Sequence, residues 1–143
     1  MRASPRPRRD FRYFTTITTR WSDNDMYGHI NNVAYLSFFD AAANRYLIEE
    51  GGMKPLASAV VGLVVETGCV YFAPLSYPQP VDVGVVVATI GTSSVRYEIG
   101  VFAQDDQQSA AHGHFIHVYV DARTRRPIPL PPDLRSALAH IVA

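Results

Sequence analysis

The run NNVAYLSFFDAAANRYLIEEGG, residues 31–52, limits the fold more than any other part of this chain. Tyr35, Phe38, Phe39, Ala42 and Tyr46 recur at three- and four-residue spacing, the period of a helix. Leu36, Ala43 and Leu47 widen that stripe until it covers most of the circumference. A helix of this kind is surrounded rather than laid on a surface. Both of its ends are marked. Asn31 or Asn32 can cap the start, because a short amide side chain accepts from the first free backbone N–H groups. Gly51 and Gly52 can end it by taking the left-handed conformation without steric cost. The rest of the chain must therefore supply something that curls around this helix.

That something reads as an antiparallel sheet. FRYFTTITTR, from about Phe11 to Arg20, is rich in Thr and aromatics and suits a strand. After the helix come ASAVVGLVVETGCVYFAPL, PVDVGVVVATIG, SSVRYEIGVFAQ and AAHGHFIHVYVDA, four β-branched and aromatic runs. The turns GTSS and DDQQS between them are short enough for hairpins, whereas parallel strands need longer crossovers. RTRRPIPLPP breaks the pattern, and PDLRSALAHIVA reads as a closing helix with Asp133 near its start. The expected fold class is α+β, a long antiparallel sheet wrapped around one central helix. One helix cannot cover both faces of such a sheet, so an edge or face is expected to pair with a second copy.

At 143 residues the chain is long enough for one core and one domain, here residues 11–143. A hydrophobic share of 48% argues against disorder. A formal net charge of zero argues against nucleic acid as the main partner. MRASPRPRRD, residues 1–10, carries four of the thirteen basic residues without apolar periodicity, and is expected to be a mobile basic tail. It lacks the apolar run of a signal peptide, and no stretch reaches the length of a membrane span. The expected location is the cytoplasm. The single cysteine, Cys69, has no cation next to it in sequence to activate it and reads as a structural thiol.

Directly before the helix lies WSDNDMYGHINNVAY, residues 21–35. So many polar groups at a helix mouth form either a solvated cap or a reaction centre. With the order of elements, the string RWSDNDMYGHINNVAYLSFFDAAANRYL resembles the hotdog-fold acyl-coenzyme A thioesterases, specifically the 4-hydroxybenzoyl-coenzyme A thioesterase-like group. The similarity runs from about Tyr13 to His140 and includes VYFAPLSYPQPVDV and VYVDARTRRPIPLPPDLR. Its signature is an aspartate three residues before Gly-His, followed by Asn-Asn; Asp25, Gly28, His29, Asn31 and Asn32 match it. The resemblance implies a hotdog fold, a homodimer or homotetramer, and active sites formed between subunits. It also implies an acyl-coenzyme A or acyl-carrier-protein substrate, with Asp25 as the catalytic carboxylate and no cofactor or metal.

The residue types suit that chemistry. Thioester hydrolysis needs an activated water or a direct nucleophile, and donors for the oxyanion that develops on the carbonyl. Asp25 can act as base towards water or attack the thioester itself. Backbone N–H groups around Asn31 and Asn32, at a helix N-terminus, can hold the oxyanion. Gly28 would let the backbone turn and approach substrate closely. His29 either orients Asp25, contacts substrate or makes a structural hydrogen bond. Tyr35, Phe38 and Phe39 read as core, although one edge of that stripe, with Tyr35 as the substrate-binding candidate, can line an acyl pocket. Asp23 reads as a loop-fixing residue. His112 and His114 face the same way on a strand, but no third ligand is placed beside them. Glu66 has no assigned role. Ser93, Ser94, Arg96 and the Arg123–Arg125–Arg126 cluster are either solvated turns or contacts for nucleotide phosphates. There is no G-x-S-x-G elbow, no Walker loop and no H-E-x-x-H. A hotdog dehydratase and a non-catalytic acyl-thioester binding or assembly protein are the alternatives. The Asp25-to-Asn32 pattern fits a thioesterase better than the dehydratase, and the carboxylate at position 25 speaks against a pure binder.

Overall fold

The computed structural model of the chain describes residues 2–54 and 58–143. Met1 of the basic segment and Ala57, at the head of the second apolar run, lie outside the described residues. Strand β1 (Tyr13–Ile17) is followed by helix α1 (Asn32–Glu49). Strands β2 (Val60–Tyr71), β3 (Val81–Ile90), β4 (Ser94–Ala103) and β5 (Ala111–Asp121) come next, and helix α2 (Pro132–Ala139) closes the chain. The strands make one antiparallel sheet in the order β1-β3-β4-β5-β2, with β3–β4 and β4–β5 joined as the expected hairpins. β2 crosses to the far edge, pairs with β5, and has no partner strand on its outer edge among the described residues.

Alternation along the strands gives the sheet two different faces. Val83, Val85, Ile99, Val101, Phe115 and Tyr119 point to one side and pack with Phe39, Ala42, Ala43 and Leu47 of α1. Fully burying an aliphatic or aromatic side chain of this size contributes about 1.5–3 kcal/mol, so this layer dominates the fold. The helical stripe is placed as expected: Tyr35, Phe38, Phe39, Ala42, Tyr46 and Leu47 are all buried. Asn31 caps α1, its side chain accepting from the Val33 N–H at 3.0 Å. At the other end Gly52, at φ 70°, lets the chain fold back so that Met53 N–H donates to the Leu47 carbonyl.

The chain forms the expected α+β fold, an antiparallel sheet around one long central helix. The far face of α1 stays open: Val33 is 67% and Ile48 44% exposed, with Asp40, Ala41 and Arg45 exposed between them. The polar members of that open face satisfy one another, Asn44 donating to Asp40 and Arg45 pairing with Glu49 at 2.7 Å. The segment expected to be a mobile tail is instead pinned across the outer face of the sheet. Backbone bonds join Arg6 and Arg8 to Ser109 and Gln107. The guanidinium of Arg6 pairs with Glu98 at 2.8 Å and that of Arg8 with Asp82 at 3.0 Å. The same two cations sit 4.9 Å from the ring centroids of Phe11, and of Phe14 and Phe102, respectively. Gly84 and Gly100 make room for those rings; a Cβ at either would come within 2.8 Å of Phe14 or Phe11. The arginines that made this stretch look solvated are the groups that tie it down.

No helix among the described residues is long and apolar enough to cross a membrane.

Candidate active site

The loop before α1 is built on its aspartates. Asp23 is buried and accepts from the Arg20 backbone N–H at 2.8 Å and from its guanidinium at 2.9 Å. Its carbonyl accepts the Asn31 N–H at 2.8 Å, so Asp23 fixes the entry to the helix as expected. Asp25 closes a tight turn: its N–H donates to the His29 carbonyl at 2.8 Å, and its carbonyl accepts from Gly28 N–H at 3.1 Å. Gly28 sits at φ 80°, which only a glycine takes without strain. The Tyr27 N–H donates to Asp25 Oδ1 at 2.9 Å, whereas Oδ2 accepts no hydrogen bond among the described residues. Residues 75–77 buttress the turn. Ile30 N–H donates to the Leu75 carbonyl at 2.7 Å, Ser76 Oγ to the Gly28 carbonyl at 2.9 Å, and Tyr77 N–H to Asn24 Oδ1 at 3.0 Å.

A cavity of about 400 Å³ opens beside this turn. Four of the sequence-predicted residues line it: Asp25, His29, Asn32 and Tyr35. Gly28 and Asn31 do not. A Cβ on Gly28 would meet no described protein atom within 4 Å, so the positive φ of the turn, and not packing within the chain, calls for glycine here. Asn31 is occupied as the cap of α1. The amides expected to form an oxyanion cradle reduce to one. Asn31 N–H is taken by Asp23, and Val33 N–H by the Asn31 side chain. Asn32 N–H, the first of the helix proper, has no acceptor among the described residues.

The remaining wall comes from Ile30 and from residues absent from the sequence reading: Tyr71, Phe72, Ala73 and Pro74 at the end of β2. Tyr35 and Tyr71 meet edge-on with ring centroids 5.0 Å apart, and the Tyr71 hydroxyl donates to the Asn32 carbonyl at 3.0 Å. Loss of water around each phenol, and then the nearby Cys69 thiol, pushes both up to about 12. Both therefore stay protonated and uncharged at neutral pH. Burial likewise pushes the Cys69 thiol up, the opposite of an activated nucleophile. The only sequence sign of this wall was the aromatic pair ending the strand before Ala-Pro.

Other marked residues lie elsewhere. His112 and His114 are on the outer face, engaged with the Ser4 carbonyl at 3.0 Å and with Glu66 at 2.8 Å. Arg96 pairs with Glu98 at 3.4 Å. Arg123, Arg125 and Arg126 are exposed on the turn after β5 and do not line the cavity. Chemically, the residues that line the cavity include, among the described residues, a carboxylate with a free oxygen, an unpaired amide at the positive end of a helix, and aromatic rings.

The sequence profile of the thioesterase-like superfamily matches residues 19–138. No curated protein matches the chain. Among solved structures, the PA5185 protein from Pseudomonas aeruginosa PAO1 is 46% identical, with a TM-score of 0.96 and 98% of each chain covered. The PA2801 protein from the same species is 29% identical, with a TM-score of 0.81, covering 87% of this chain and 96% of the other. Slr0204, a 1,4-dihydroxy-2-naphthoyl-CoA thioesterase from Synechocystis, shares the fold at 15% identity and a TM-score of 0.79, covering 89% and 95% of the two chains.

Proposed function

Because this chain belongs to the thioesterase-like superfamily, we propose that it hydrolyses an acyl- or aroyl-coenzyme A to the free acid and the thiol. One observation carries the reading: Asp25, whose Oδ2 accepts no hydrogen bond, and Asn32, whose N–H has no acceptor among the described residues, line the same cavity. Asp25 either takes a proton from the attacking water or attacks the carbonyl carbon itself, giving a mixed anhydride that water then opens. In both routes the carbonyl oxygen gains negative charge and is met by the Asn32 N–H, with the helix dipole behind it. Collapse of the tetrahedral species breaks the carbon–sulfur bond. On the base route the thiolate takes the proton that Asp25 received from water. On the anhydride route it leaves first, and the water that then opens the anhydride supplies its proton and frees the carboxylate. Tyr35, Tyr71 and Phe72 supply an apolar wall against which an acyl or aroyl group can pack.

Thiol release from a panel of acyl-coenzyme A compounds tests the activity, and Asp25→Asn tests the residue. Asn preserves the turn bond through its side-chain oxygen but is neither base nor nucleophile, and should lower turnover at least about a hundredfold. Unchanged turnover in the folded variant would remove Asp25 from the chemistry. A protein that binds the panel without releasing thiol would be a binder only, and acyl-carrier-protein thioesters in the same panel decide the natural leaving group.

The site also supports the expected homo-oligomer. β2 offers a free edge, and Leu63, Val64, Val65 and Val70 are exposed along it, Val65 at 59%. Long apolar edges of this kind are rarely left bare, and a strand that pairs with its own copy about a two-fold axis does so antiparallel. Val65→Lys puts a charge on that edge. Light scattering should give a dimer or tetramer for the unaltered protein and a monomer for the variant; a single-chain mass for the unaltered protein would end this reading.

A further inference from the structure

We propose that Tyr71 is a positioning residue for the oxyanion donor: its hydroxyl holds the Asn32 carbonyl, and with it the Cα at which the peptide group carrying the free N–H ends. The inference rests on the thioesterase reading above and names a part that the reading did not contain. Helix ends fray, and a donor in the first turn is useful only if something outside the helix holds it. On the loop side, Asp23 holds the Asn31 N–H; one residue further on, the Asn31 side chain holds the Val33 N–H. The Asn32 N–H belongs to the peptide group shared with Asn31, whose carbonyl accepts the Ala34 N–H at 2.9 Å. The Asn32 carbonyl belongs to the next peptide group and accepts the Tyr71 hydroxyl at 3.0 Å. The two groups meet at the Asn32 Cα, so Tyr71 holds one end of the amide plane and leaves its N–H free among the described residues.

That tie is anchored on a different element. Tyr71 ends β2, paired there with Ala111 of β5, and its ring is braced edge-on by Tyr35. The sheet thereby holds the Cα end of the amide plane, while the helix tip holds its carbonyl through the Ala34 N–H. A donor held in advance needs no reorganisation when charge develops on the carbonyl oxygen. Because the phenol is pushed up to about 12, it remains a donor over the whole neutral range. Tyr71 touches no reacting atom in this scheme; it acts through Asn32.

Tyr71→Phe removes the O–H and keeps the ring against Tyr35. With an acyl-coenzyme A that the unaltered protein turns over, kcat should fall about five- to tenfold, as expected for one net hydrogen bond, with KM within about twofold. A second background separates positioning from general support. Asn32→Pro removes the amide hydrogen itself, so Tyr71→Phe placed on top of Asn32→Pro should lower kcat no further. An unchanged kcat in Tyr71→Phe overturns the proposal. So does a loss carried by KM alone, which would make Tyr71 a substrate contact, or an equal fractional loss in both backgrounds. If Asn32→Pro alone keeps full turnover, the oxyanion assignment has failed, and that result is read independently of Tyr71.

Discussion

Replacing Asn32 by proline should lower kcat by about two to three orders of magnitude and leave the chain folded. Proline is well suited to the first position of a helix, where the missing N–H would have no partner in the helix anyway. Asn31, the residue before it, already sits at φ −62° and ψ 140°, the extended region that a following proline requires. The substitution therefore removes one hydrogen-bond donor and little else from the backbone. It also removes the side chain of a residue that lines the cavity, so Asn32→Ala is the necessary control. Alanine keeps the N–H and should keep turnover within a few-fold of the unaltered protein. A large loss in both variants would assign the effect to the side chain. Full activity in Asn32→Pro would show that the oxyanion is held elsewhere. Circular dichroism and a thermal melt establish that the proline variant is folded before its rate is compared.

The parts of this site that are close in sequence were legible, and the parts brought together by the sheet were not. Asp25, His29, Asn32 and Tyr35 lie within one turn and the start of one helix, so residue type and spacing alone gather them. The helix could be read because its period, its Asn31 cap and its closing Gly52 are local features, and each was found where expected. Tyr71 to Pro74 reach the same cavity from a strand about forty positions later. Their arrival depends on β2 crossing to the far edge of the sheet, an order that no hairpin length dictates. The count of free amides was likewise out of reach, since it depends on Asp23 spending its carbonyl on Asn31. The docked N-terminal segment failed for a different reason. Arginine and proline suggest solvent, but the matching surface is scattered over Asp82, Glu98, Phe102 and two outward glycines on other strands.

The second large effect is on stability and comes from His117. This imidazole is 2% exposed, with Nδ1 3.3 Å from the Tyr119 hydroxyl, which itself shares a 2.7 Å hydrogen bond with Tyr97. Its Nε2 has no partner among the described residues. Among the described residues no charged group acts on it, and the rings around it are Tyr97, Phe115 and Tyr119. Burial therefore opposes the imidazolium and pushes the pKa from the ordinary 6.5 down to about 4. Between those two values the unfolded chain binds a proton that the folded chain refuses. The stability of the neutral form is thus complete above about pH 6.5 and is lost as the pH falls towards 4, where the folded state also takes the proton. At about 1.4 kcal/mol per pH unit, the full loss is on the order of 3 kcal/mol, a sizeable share of a single domain's stability. Carboxylates titrate in part of the same range, so the measurement is a difference. Urea unfolding of the unaltered protein and of His117→Phe, at pH 7.5 and pH 4.5, should show the variant losing about 2–3 kcal/mol less on acidification. Phenylalanine keeps a ring against Tyr97 and Phe115 but has no proton to bind. Parallel pH dependences in the two proteins would mean that His117 titrates in the folded chain much as it does in water, and that its surroundings are wetter than this packing implies.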